Sequence, residues 1–133
     1  MSKFRLSQSD ARRKWIDALR SWKYKQTKKA LFDKDAYCCL GVACELFVEN
    51  EGIGEIVRGE FSGHIKIGDS CHCFQLPDAV RDWLGLLTNV GSENGKNGCL
   101  AQANDSGYTF VEIARMLKSG RYYIEAKEVA GAK

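Results

Sequence analysis

Apolar positions recur at helical spacing early in the chain. Trp15, Leu19 and Trp22 stand at i, i+4 and i+7 with Ile16 beside them, and Arg12, Arg13, Asp17 and Arg20 fall largely outside that stripe. The spacing predicts an amphipathic helix over about 10–22, with both tryptophans as core anchors rather than a base-stacking platform. Ser7 and Asp10 are spaced as a capping box with Asp in place of Glu. Residues 23–34, KYKQTKKALFDK, alternate well enough for a short extended segment, and Asp33-Lys34-Asp35 reads as a turn. The most apolar stretch follows at 36–49, AYCCLGVACELFVE. Leu40, Ala43, Cys44 and Phe47 share helical spacing there, as do Cys39, Ala43 and Leu46. A helix apolar over most of its surface belongs inside a domain. Gly41 costs about 1 kcal/mol relative to Ala in such a helix, so it is read as serving close packing or the approach of a ligand. Residues 50–54 end the helix.

The period then changes from helical to alternating. Ile65 and Ile67 alternate with His64 and Lys66, Gly68-Asp69 makes a turn, and Cys71, Cys73 and Gln75 alternate with His72, Phe74 and Leu76. This predicts an antiparallel hairpin, which a strand near 55–61 joins. Pro77 suits the first turn of a helix that buries Val80, Trp83 and Leu84 and stops at Gly85. The polar, glycine-rich run 88–98, TNVGSENGKNG, reads as a flap or insertion. Residues 99–103 look strand-like, and 104–107, NDSG, look like a turn. Thr109 and Glu112 form a capping box for a helix with Phe110, Ile113, Ala114 and Leu117 on one face and Gly120 at its end. Residues 121–129 fit either a strand or a helical tail. The pattern as a whole predicts a single α+β domain over 1–133, a small antiparallel sheet packed by three to four helices, with no repeat and no linker.

With 133 residues, 44% of them apolar and 28% charged, the chain has enough apolar material for a core. No apolar run approaches the roughly 18–20 residues of a membrane span, so no membrane partner is expected. Residues 1–15 show no apolar signal core, and the expected location is the cytoplasm. The six cysteines are then read as free thiols, several of them buried as small hydrophobes. Net charge is only +3, but it is segregated. Residues 1–34 hold 11 Lys and Arg against 3 Asp, and the remainder holds 9 basic against 14 acidic residues. A basic front on an acidic body suits a phosphate-bearing or acidic partner. The competing reading is a solvated helix face plus a lysine-rich loop.

Catalytic parts are sparse. Cys71-His72-Cys73 suggests zinc, but on a strand His72 points away from the two thiols, and the remaining Cys and His residues form no second ligand pair of the usual spacing. A cysteine nucleophile needs a base within hydrogen-bond reach, and His64 and His72 are the only histidines. There is no nucleophile elbow, P-loop or dinucleotide fingerprint. No catalytic residue, metal or cofactor is assigned. A cysteine- or zinc-dependent enzyme is the third reading of function. Asn104 and Asp105 before a helix start suggest an anion site at backbone N–H groups, against the plainer reading of an Asx-type turn. Lys25 and Lys28 add positive charge, Gln26 adds an amide, and Tyr24 and Tyr108 offer rings for stacking. These seven residues form the candidate ligand site.

Three segments taken together carry a resemblance: WIDALRSWKYKQTKKALFDKDAYCCLGVACEL, LPDAVRDWLGL and LAQANDSGYTFVEIARMLKSG. Their order and wording resemble a widespread family of small, mostly uncharacterised bacteriophage-encoded proteins. Its members read W-x2-ALRSG-x-YKQ, CCLGV-x-C, LP-x2-V-x2-W-x-GL and LND-x-G-x-SF-x-EIA. The match covers about three quarters of the chain. Trp22 stands where that pattern has glycine, Ala103 where it has leucine, and Tyr108-Thr109 where it has a Lys-Ser-like pair. The resemblance implies a phage product acting in the bacterial cytoplasm and supplies no catalytic residue. The leading expectation is a counter-defence protein that sequesters a small anionic, nucleotide-derived immune signal without catalysis. The alternative is an inhibitor that engages a host defence protein or nucleic acid through the basic N-terminal face. A second copy of the chain is a further expected partner.

Overall fold

A computed structural model describes residues 4–33, 35–58, 63–93 and 98–123. Helix α1 (Gln8–Arg20) starts where the Ser7 hydroxyl accepts the Asp10 N–H, 3.1 Å away. It buries Ala11, Trp15 and Leu19, and the Trp15 indole N–H donates to the Cys39 carbonyl at 2.9 Å. The apolar stripe stops one turn short of the expectation. Ser21 caps the helix, and Trp22 lies beyond it at φ 66° with 86% of its surface exposed. Trp22 is therefore not a core anchor, because the left-handed residue turns the chain off the helix axis before that face is completed.

Three two-residue strands follow: β1 (Lys25–Gln26), β2 (Phe32–Asp33) and β3 (Ala36–Tyr37). Between β1 and β2 the chain reverses through Lys29 at φ 67°. The β2–β3 hairpin reverses it again, so β3 lies parallel to β1 and antiparallel to β2. The sheet is thus mixed, where a purely antiparallel one was expected. Helix α2 (Cys39–Glu51) begins later than the apolar run suggested, because Ala36 and Tyr37 pair as strand. Gly52, at φ 70°, ends it.

Strands β4 (Glu55–Arg58), β5 (Gly63–Ile67) and β6 (Ser70–His72) form the expected antiparallel set, with Gly68 at φ 59° in the β5–β6 turn. The remainder of the strand anticipated near 55–61 lies outside the described residues. The order is β1-β3-β2-β5-β4, with β6 also paired to β5. Helix α3 (Asp78–Leu84) takes Pro77 as its cap and buries Val80, Trp83 and Leu84. Cys99 bridges Ser92 in antiparallel fashion, but residues 100–105 are not strand and turn. Leu100–Asp105 is a helix, α4, that buries Leu100 and Asn104. Helix α5 (Phe110–Leu117) has the complete Thr109–Glu112 capping box. The first part of the glycine-rich run is held rather than free, since the Thr88 hydroxyl accepts the Ser92 N–H at 3.0 Å. Residues 94–97 lie outside the described set, as does the tail from 124. Tyr123 bridges Leu86 in antiparallel fashion.

The fold is α+β, with five helices among the described residues. Its core centres on α2, eight of whose residues from Cys39 to Phe47 are buried or nearly so. Phe47 packs edge-on against Trp83, with ring centroids 5.4 Å apart. Gly41 explains itself here. A methyl group on it would collide with the Leu31 carbonyl oxygen, which already accepts the Cys38 N–H at 3.0 Å. Close packing of α2 on the β1–β2 connection therefore accounts for the glycine. At the far end of α2, buried Glu51 accepts from the Arg5 N–H (2.6 Å), the Leu6 N–H (3.0 Å) and the Trp83 indole (2.9 Å). One carboxylate thereby ties the N-terminal segment to α3.

Candidate functional site

The structure gathers several of the residues singled out by sequence, and it shows what occupies them. Asn104 is fully buried in the last turn of α4. Its Oδ1 accepts from Gln26 Nε2 (2.9 Å) and the Cys39 N–H (3.1 Å), and its Nδ2 donates to the Thr27 carbonyl (2.7 Å). Gln26 Nε2 also donates to the Tyr108 carbonyl (2.8 Å), and Gln26 Oε1 accepts the Phe110 N–H (3.1 Å). The Asp105 carboxylate accepts the Lys29 N–H at 2.6 Å. Two amides and a carboxylate thus staple β1, α2, α4 and the start of α5 together. At the N-terminus of α5 the Phe110 N–H donates to Gln26 Oε1, and the Thr109–Glu112 box takes the Thr109 and Glu112 N–H groups. Asn104 and Asp105 sit in the last turn of α4 rather than before a helix start, and their oxygens accept from Gln26 Nε2 and from the Cys39 and Lys29 N–H groups.

The other candidate residues lie around this staple. Lys25 and Lys28 are exposed, and Tyr108 is 47% exposed. Tyr24 stands elsewhere, edge-on to Tyr37 with ring centroids 5.2 Å apart. It lines a different hollow, with Lys14, Asp17, Lys23 and Glu49. Burial first, and the nearby Glu49 and Glu45 charges next, push the Tyr24 phenol up to about 12. Among the described residues Tyr24 and Tyr108 line different hollows.

A separate groove of about 610 Å³ opens between α1 and the end of α5. From α1 come Arg12, Ile16, Asp17 and Arg20, and from the α5 end come Leu117, Lys118 and Tyr123. The volume falls within the roughly 300–1,000 Å³ of small-molecule sites. The spacing of α1 dictates its wall: Arg13, Asp17 and Arg20 lie on the solvent side of the helix that buries Trp15 and Leu19. Arg12 is held rigidly. Its Nε donates to the Leu84 carbonyl at 2.6 Å, and its guanidinium carbon lies 4.0 Å from the centre of the Tyr123 ring. Gly85, at φ 71°, makes room for that guanidinium. Arg13 is paired with Asp10. Arg20 and Lys118 make no ion pair among the described residues.

Tyr123 is 92% buried, and its hydroxyl has no hydrogen-bond partner among the described residues. A buried hydroxyl without a partner costs about 1–3 kcal/mol, so it calls for an explanation. Burial pushes its phenol up to about 12, although the Arg12 charge pulls the other way. The group is a neutral donor throughout the physiological range. Sequence reasoning marked Arg12, Arg13 and Arg20 but missed Lys118 and Tyr123. The helical stripe of α5 points to Lys118 as its exposed neighbour, whereas the pairing of Tyr123 with Leu86 has no sequence signal.

The thiols divide by burial. Cys38, Cys39 and Cys44 are buried, and Cys71 is exposed. Desolvation pushes Cys38 up to about 11 and raises Cys39 and Cys44 well above the ordinary thiol value, with smaller opposing hydrogen bonds to Cys38 and Cys39. Such thiols are poor nucleophiles at neutral pH. Cys38 instead caps α2, its sulfur accepting the Gly41 N–H at 3.4 Å. Among the described residues no group of three or more His, Cys, Asp or Glu side chains is placed to hold a metal. No described helix is long and apolar enough to cross a membrane.

Residues 7–121 match the model of one family, described as Domain of unknown function (DUF8296). No curated protein and no solved structure matches the chain.

Proposed function

We propose, for a chain that belongs to the DUF8296 family, a non-catalytic role in binding a small anionic ligand, with the α1–α5 groove as its site. The observation that carries this reading is the juxtaposition of Arg20 and Lys118, neither with an ion-pair partner among the described residues, along one groove that is also lined by Tyr123, whose buried hydroxyl has no partner among them. The Gln26–Asn104 staple supports it indirectly, because those amides are already committed to holding the fold. In its specific form the reading is that of a phage counter-defence protein that depletes a nucleotide-type immune signal in the host cytoplasm. That form rests on the resemblance of the sequence segments to phage-encoded proteins. Depletion requires a dissociation constant well below the signal's concentration.

Native mass spectrometry of the purified protein, beside its denatured mass, tests the reading together with calorimetric titration of a panel of mono- and cyclic nucleotides. The expected result is micromolar or tighter binding of at least one anionic compound, lost in Arg20→Glu. Absence of binding across the panel at micromolar concentration overturns the nucleotide-signal form.

A second reading has its own observation. Trp22 is 86% exposed and is followed by Lys23 on the most basic part of the chain. An exposed indole among lysines suits a nucleic acid or an acidic defence protein. Steeply salt-dependent affinity for single-stranded RNA or DNA, lost in Trp22→Ala and kept in Arg20→Gln, is its distinguishing result.

A further inference from the structure

Three side chains that line the α1–α5 groove are hydrogen-bond donors without a partner among the described residues. Arg20 offers a guanidinium, Lys118 an ammonium and Tyr123 a hydroxyl. What such a set lacks is an acceptor-rich anion. Arg12 is not part of the deficit, since the Leu84 and Gly85 carbonyls accept from it. It serves as a fixed positive lid on the Tyr123 ring. The groove is not donor-only, however. Asp17 lines it too, and Ile16 and Leu117 give it an apolar floor. A bare inorganic anion uses neither of those features. A phosphate ester whose organic part carries hydroxyl or amino donors and a flat apolar face uses all of them.

We propose that this groove takes a nucleoside monophosphate or a chemically equivalent phosphate ester, and that the Tyr123 hydroxyl is its specificity-determining group, donating to a phosphate oxygen. Arg20 and Lys118 supply the charge, and Asp17 accepts from the sugar or base. The oxygen of Tyr123 is buried. Ligand access to it therefore requires a side-chain movement, and Arg20 and Lys118, which line the same groove, are exposed. The inference rests on the reading of the groove as the anion site and adds the ligand's class and the residue that reads it.

The Tyr123 assignment has a signature that a purely structural tyrosine does not share. Tyr123→Phe keeps the ring, its contact with Arg12 and its backbone pairing with Leu86, and removes only the unpartnered hydroxyl. A buried polar atom without a partner destabilises the unliganded protein. The variant is therefore expected to melt at a higher temperature and yet to bind more weakly.

The experiment is calorimetric titration of the full chain with adenosine 5′-monophosphate, adenosine and inorganic phosphate, beside thermal melts of Tyr123→Phe and Arg20→Gln. The expected result is binding of the monophosphate to the wild type, with adenosine and inorganic phosphate each at least ten-fold weaker. Tyr123→Phe then loses at least ten-fold in affinity while its Tm rises, and Arg20→Gln loses affinity with its Tm unchanged. Monophosphate affinity unaltered in Tyr123→Phe overturns the role of the hydroxyl but leaves the anion site standing. Inorganic phosphate binding as tightly as the monophosphate overturns the ester class. Failure of all three probes, with binding of another anion from the wider panel, overturns this inference alone. Failure of the whole panel overturns the parent reading with it.

Discussion

Asn104 shows how one side chain can look like a ligand-binding group and act as a joint. Its amide satisfies a β1 side chain, an α2 backbone N–H and the Thr27 carbonyl at once. Removing it leaves a backbone donor and acceptor without partners in the interior, each worth about 1–3 kcal/mol. Asn104→Ala is expected to destabilise the protein by about 3 kcal/mol, read by urea unfolding. A ligand-binding asparagine on the surface, by contrast, costs nothing measurable when truncated. The residue types of this cluster were legible in the sequence, but their partners were not. An Asn-Asp-Ser-Gly run has strong local turn chemistry, and it takes burial of Leu100 and Asn104 against α2 to draw those residues into a helix.

The helices illustrate the same balance between local signal and tertiary context. Spacing alone locates α1, α2, α3 and α5 to within a few residues, because each buries a continuous apolar face. The strands β1 and β2 are legible only as one extended segment over 23–34, and β3 escapes detection, since two residues carry no period. Ala36 and Tyr37 consequently read as helix until their pairing with Lys25 and Gln26 is known. Two substitutions test this scale. Gly41→Ala raises intrinsic helix propensity, yet it is expected to cost about 1–3 kcal/mol, the usual range for overpacking, because its methyl group meets the Leu31 carbonyl. A gain in stability contradicts that packing. Trp22→Gly is expected to raise stability by about 1 kcal/mol, since a left-handed conformation costs a side chain roughly that much and the indole is exposed. Thermal melts of both variants measure the opposite signs directly.

For the molecule as a whole, two features govern behaviour: charge segregation and the tie at Glu51. Burial alone pushes the Glu51 carboxyl up, but the hydrogen bonds from Arg5, Leu6 and Trp83, with the Arg5 charge, together bring it below its ordinary value. A carboxyl held lower in the folded state than in the unfolded chain stabilises fully above its unfolded pKa. That contribution is lost as pH falls through the folded value. Stability is therefore expected to decline in acid, with hydrogen exchange rising first at Arg5 and Leu6. Glu51→Gln is expected to flatten that acid limb, and an unchanged limb assigns the pH dependence to other carboxyls. Charge segregation, unlike the Glu51 tie, was visible in the sequence. What remained hidden was the groove, because Lys118 and Tyr123 line it together with Arg20 only once α5 lies against α1. The most direct test of the binding account is amide chemical-shift mapping of the ¹⁵N-labelled protein titrated with adenosine 5′-monophosphate. Shifts concentrated at Ile16–Arg20 and Leu117–Tyr123 are the expected result, and shifts confined to Gln26, Asn104 and Tyr108, or none anywhere at millimolar ligand, contradict it.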